Sequence, residues 1–138
     1  MKSRDSLIRL KRFQADEKRR QVSQIEMMIA EFERMAKDLD EQIAIEQERS
    51  GIRDVNHFAY PTFAKAAMQR RDNLRASAGE LQGQLEQAQD ELHAALDELK
   101  KYEQMAERDR AGQAEGEEQA ADATAPRSRS QLAGERRW

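Results

Sequence analysis

The chain of 138 residues contains no cysteine, which rules out disulfides and thiolate metal sites. It has only two prolines and six glycines, so long stretches are free of helix breakers. Aromatic residues make up 5% of the sequence, too few to anchor a broad compact core. No apolar run is long enough for a signal peptide or a membrane span, so a cytoplasmic location is the expectation. Nucleophile elbows, Gly-rich phosphate loops and His-Glu metalloprotease motifs are missing. His57 and His93 are the only histidines, and neither has a second histidine at helical spacing. No enzymatic activity, cofactor or metal is expected.

What is abundant is charge, at 37%, set among Ala, Gln and Leu, the composition of coiled coils and long helices. From Leu74 through Ala78, Leu81, Leu85, Ala88, Leu92, Ala95, Leu99 and Tyr102 to Ala106, apolar positions alternate four and three apart. That spacing is the heptad signature of a helix with one narrow buried seam. Val22, Ile25, Ile29, Phe32, Ala36, Leu39 and Ile43 repeat the rhythm upstream. Continued toward the start, this seam passes through Lys18, Ala15, Lys11 and Ile8, half of them cationic.

Two seams separated by one break predict an all-α fold, a long antiparallel two-helix coiled-coil hairpin spanning 1–110. Helix one is expected over about 6–49, a turn over 50–60, and helix two over about 61–110. Ser50-Gly51 supplies the stop, since glycine accepts the left-handed conformation at a helix end. Pro61 suits the first position of helix two. The expected register pairs residue i with about 110 − i, placing Phe32 near Ala78 and Ile25 near Leu85. Residues 111–138 are small and acidic, then small and basic, and are expected to be a disordered low-complexity tail ending in an idle Trp138.

Charge supports this topology. Residues 1–20 sum to +5, 21–49 to −5, 50–75 to +3 and 76–110 to −5. An antiparallel fold sets each block beside one of opposite sign, whereas a parallel dimer sets like against like. A monomer is therefore expected, although an antiparallel dimer of hairpins stays compatible with the pattern.

Four features invite a functional reading. At the start, Leu7, Leu10 and Phe13 project off the seam among Arg9, Lys11 and Arg12, either as a docking plug or as a solvated end neutralised by helix two. At the turn, His57, Phe58, Tyr60 and Phe63 either close the hairpin or offer a contact patch, and both hold if one ring is buried and another exposed. Met27, Met28 and Met35 flank the first seam; flank packing is the expected role and an adaptable binding surface the alternative. Gly79 and Gly83 fall on the outer face of helix two, where each costs about 1 kcal/mol relative to alanine. Nucleic-acid binding is not expected, because 1–110 is net acidic and has no sustained basic face.

The opening MKSRDSLIRLKRFQADEKRRQVSQIE and the break FAYPTFAKAA, together with the matched helices and the size, resemble FliJ, a bacterial flagellar export family. The likeness covers roughly 1–110, is nearest to alphaproteobacterial members, and leaves the tail outside. It implies a non-enzymatic stalk of the flagellar type III protein export apparatus, cytoplasmic and peripheral to the inner membrane at the flagellar base. Its implied partners are the hexameric export ATPase, the cytoplasmic domain of the export gate, and export chaperones. By the same likeness, Leu7, Arg9, Leu10, Lys11, Arg12 and Phe13, opposite Leu99 and Tyr102, would enter the ATPase ring. Phe58, Tyr60 and Phe63 would face the gate. A generic cytosolic coiled-coil adaptor or scaffold is the alternative.

Overall fold

In a computed structural model the chain is all-helical, with two long helices packed against each other: α1 (Lys2–Ser50) and α2 (Thr62–Arg136). The structure describes the backbone of residues 2–136 and the side chains of residues 4–121. The helices form two compact units, Gln14–Ala95 and the pair Met1–Phe13 with Leu96–Trp138.

In the unit Gln14–Ala95, Ala15, Ile29, Ala36 and Ile43 are buried at heptad spacing, with Val22 half-buried in the same row. A second row, Ile25, Phe32 and Leu39, is half-buried beside it. On α2 the matching seam starts earlier than expected, with Ala64 and Ala67, and continues through Ala78, Leu81 and Ala88. The helices run antiparallel: Lys18 Nζ lies 2.9 Å from Glu91 and Arg71 Nη1 2.9 Å from Asp40. Both pairs obey the expected relation of i to about 110 − i. Alanine recurs along both seams because a bulky residue on one helix needs a small one opposite.

Arg71 occupies a seam position where an apolar residue would be usual. Asp40 resolves this by accepting from Arg71 and, with its second oxygen, from Arg75. The Arg71 hydrogen bond, helped by the Arg75 one and opposed by partial burial, holds the Asp40 carboxyl below its ordinary range. A polar group at a seam position favours registers in which it finds a partner over those that strand it.

The turn is held by its own polar groups. Gly51 has φ of 71°, the left-handed conformation anticipated for it, and its N–H donates to the Gln47 carbonyl at 2.9 Å. The Ser50 hydroxyl accepts from the Ile52 N–H, and the Asp54 carboxylate accepts from the Asn56 N–H. The Ala59 N–H donates to His57 Nδ1 at 3.0 Å. Tyr60 is 7% exposed; its hydroxyl accepts from Gln47 Nε2 at 3.0 Å and donates toward the Met68 sulfur. α2 starts at Thr62, one residue past the expected Pro61.

In the unit of Met1–Phe13 with Leu96–Trp138, Ile8 and Ala106 are buried and Leu99 and Tyr102 half-buried. Lys11 sits 3.0 Å from Glu98 with its ammonium 5.6 Å from the Tyr102 ring centroid, and Arg4 pairs with Asp109. The expected end of helix two near Arg110 is corrected: the backbone stays helical beyond it, while residues 110–121 are exposed throughout. Packing thus ends where expected but the helix does not. Ala, Glu and Gln are good helix formers, and extending a packed helix needs no new nucleus. The disorder expected of 122–138, Trp138 included, falls outside the described side chains.

Because the Asp40 value is depressed on folding, its stabilisation is complete above the ordinary aspartate value of about 3.9 and is lost as pH falls through the lower folded value. Asp40→Asn should therefore cost about 0.5–1 kcal/mol at neutral pH and progressively less in acid. Urea titrations from pH 7 downward check this; a cost independent of pH would contradict it. Separately, a Cβ at Gly83 would meet nothing within 4 Å. Gly83→Ala should raise stability by about 1 kcal/mol, read as a higher urea midpoint.

Candidate interaction surfaces

A heptad places a and d positions inward and leaves the remaining faces to solvent, so any bulky apolar side chain on an outer face lacks a partner within the hairpin. In the unit of Met1–Phe13 with Leu96–Trp138, Leu10 and Phe13 are such residues, 49% and 59% exposed. Leu7 is half-buried and Arg9 exposed beside them. Arg12 reaches Glu103 only at 3.9 Å with its side chain 60% exposed, so its charge stays available. Lys11 differs: its side chain is 16% exposed and engaged by Glu98 and Tyr102. Of the six residues expected to dock, Lys11 is the one held in the seam, where the heptad spacing had placed it. It lies on the inward d position, where only the ammonium reaches the edge.

In the other unit, the aromatic cluster at the turn divides. Tyr60 is buried and hydrogen-bonded, which corrects its expected role as a contact for a partner. Phe58 is 97% exposed, with its ring stacked on His57 at 4.7 Å, and Phe63 is 56% exposed. One ring closes the turn and two are offered outward, the combined outcome the sequence allowed.

The same unit carries a third apolar surface. Met27 and Met28 are 67% and 47% exposed, and with Gln24, Glu31 and Phe32 they line a shallow, mostly apolar depression on α1. The expected flank packing is seen only at Met35, which is half-buried; Met27 falls on the outermost helix face and Met28 is exposed beside it. Their 24, 27, 28, 31 spacing was the signal, because it defines a helix face displaced from the seam.

Among the described residues no three His, Cys, Asp or Glu are grouped to hold a metal ion. Nor is any described helix long and apolar enough to cross a membrane. No family model matches the chain, and no curated protein and no solved structure matches it either.

If Leu10 and Phe13 are idle within the fold, replacing both with Ser should leave the urea midpoint within about 0.5 kcal/mol of the parent. Tyr60→Phe, which strands Gln47, should cost about 1 kcal/mol. The reverse ranking would contradict this division between exposed and buried side chains.

Proposed function

We propose that this chain is a non-enzymatic stalk of the bacterial flagellar type III export apparatus, of the FliJ kind, coupling the hexameric export ATPase to the export gate. The observation that carries the proposal is the pair Leu10 and Phe13, exposed beside Arg9 and Arg12 on one arm of an antiparallel coiled coil. The resemblance of the opening segment and the FAYP break supplies the identity of the partner.

The mechanism follows from what such a surface can do. Apolar side chains that are already exposed seat in a ring without unfolding the arm that carries them. Arginines on their border select a partner rich in carboxylates and keep wrong partners off. Within each unit the coiled coil resists bending, because each helix buries its seam on the other. Phe58 and Phe63 would then meet the gate domain, with export chaperones as transient partners. The work site would be cytoplasmic and peripheral to the inner membrane.

Arg9→Glu with Arg12→Glu should abolish binding to the purified ATPase ring and motility in cells, with far-ultraviolet circular dichroism unchanged. Retained ring binding would defeat the proposal. The exposed Met27 and Met28 favour a second reading, a coiled-coil adaptor. That reading predicts full ring independence, with the methionine face and not Arg9 or Arg12 carrying the interaction.

A further inference from the structure

The outer ridge of α1 within the unit Gln14–Ala95 repeats the rhythm of a seam. Glu17, Arg20, Gln24, Met27, Glu31 and Arg34 are spaced alternately three and four apart; Glu17 is half-buried and the other five are exposed. The ion pairs of this ridge stay within α1: Arg20 bonds Glu17, at 2.6 Å, and Arg34 bonds Glu31, at 2.6 Å, and Asp38. This solvent-facing row is charged toward both ends, with Met27 as its one apolar member.

Its charge order is what identifies an occupant. Read forward the ridge is acid, base, Gln, Met, acid, base. Reverse it about a two-fold axis between Ile25 and Glu26 and Glu17 meets Arg34, Arg20 meets Glu31, and Gln24 meets Met27. Among these six residues every charge finds its opposite, and both apolar-polar contacts at the centre are equivalent by symmetry. A parallel arrangement instead sets Glu17 on Glu17 and Arg20 on Arg20 throughout, which repels. An unrelated partner has no reason to match an order that is complementary to its own reversal. A closed two-fold contact demands that self-complementarity.

We propose that this ridge is a docking surface for a second copy of the same chain, giving an antiparallel, two-fold contact between the α1 helices of two hairpins. Met27 and Met28 supply the apolar centre, joined by Gln24 from the partner copy. The charged pairs at either end fix direction and register and add little to affinity, because they are largely exposed and already satisfied within the helix. One ridge from each copy is a narrow contact, so the dimer is a dissociable one. The inference does not depend on the export reading.

The test is sedimentation velocity on the full chain over a wide concentration range, with a charge swap. The parent should pass from monomer to dimer with rising concentration. Arg20→Glu alone sets a carboxylate against Glu31 of the other copy and should weaken dimerisation at least about tenfold. Glu31→Arg alone should do the same. Mixing the two variants, or combining both substitutions in one chain, restores opposite charges across the axis and should restore the dimer. Recovery on mixing cannot come from helix stability, because neither variant regains its own intrahelical pair. Met27→Gln should weaken the dimer without altering helicity.

A chain that stays monomeric at all concentrations overturns the proposal. So does a dimer indifferent to the single reversals, or one that mixing fails to restore. A methionine face that instead binds a different protein, with no self-association, also overturns it.

Discussion

The pairing of each helix's narrow apolar stripe with the stripe of the other is the constraint on which everything else rests. A lone amphipathic helix gains little in water, because its nucleus is costly and its apolar side stays wet. Once α1 and α2 run antiparallel, that register sets Ile29, Ala36 and Ile43 opposite Leu81, Leu74 and Ala67 within one unit, and burial compensates for the ordering of both backbones. So little of each residue's neighbourhood is enclosed that the seam must also carry polar groups. Arg71 is made tolerable by Asp40, Lys11 by Glu98 and the Tyr102 ring, and Lys18 by Glu91. These pairs contribute modestly to stability; their larger effect is to make one register better than its neighbours.

This division of labour was readable in the sequence for a physical reason. The four-three spacing from Leu74 to Ala106 is a property of helix geometry, and every one of those positions is buried or half-buried. Gly51 was legible as a stop because few other residues accept a positive φ there. The antiparallel direction was legible because the charge blocks alternate in sign. Where the structure differs, another force decides. Residues 111–121 bury nothing, so a burial argument could not see that intrinsic propensity carries the helix through them.

The candidate surfaces were legible only in part. Leu10 and Phe13 stood out, since bulky apolar residues off the seam have no seat inside a two-helix fold. The aromatic cluster could not be divided from sequence, because whether Tyr60 or Phe58 closes the turn depends on the local hydrogen bonds of 51–61 and on Gln47 reaching the phenol. Met27 and Met28 lie close to the seam in sequence, but the angle around the helix is what sets their exposure. An outer face rich in methionine is adaptable and weakly specific by itself. Specificity, where it exists, comes from the order of charges around it.

The most direct measurement of the central claim is a pulsed electron-spin distance between nitroxides at positions 18 and 91, in labelled chains diluted with unlabelled ones. These positions lie 73 residues apart in sequence. Antiparallel pairing within one chain brings their helices to an axial separation of roughly 8–10 Å, so a narrow distribution below about 25 Å is expected. A distance of several tens of ångströms, or a short distance that disappears on dilution with unlabelled chain, would show that the seams are filled some other way.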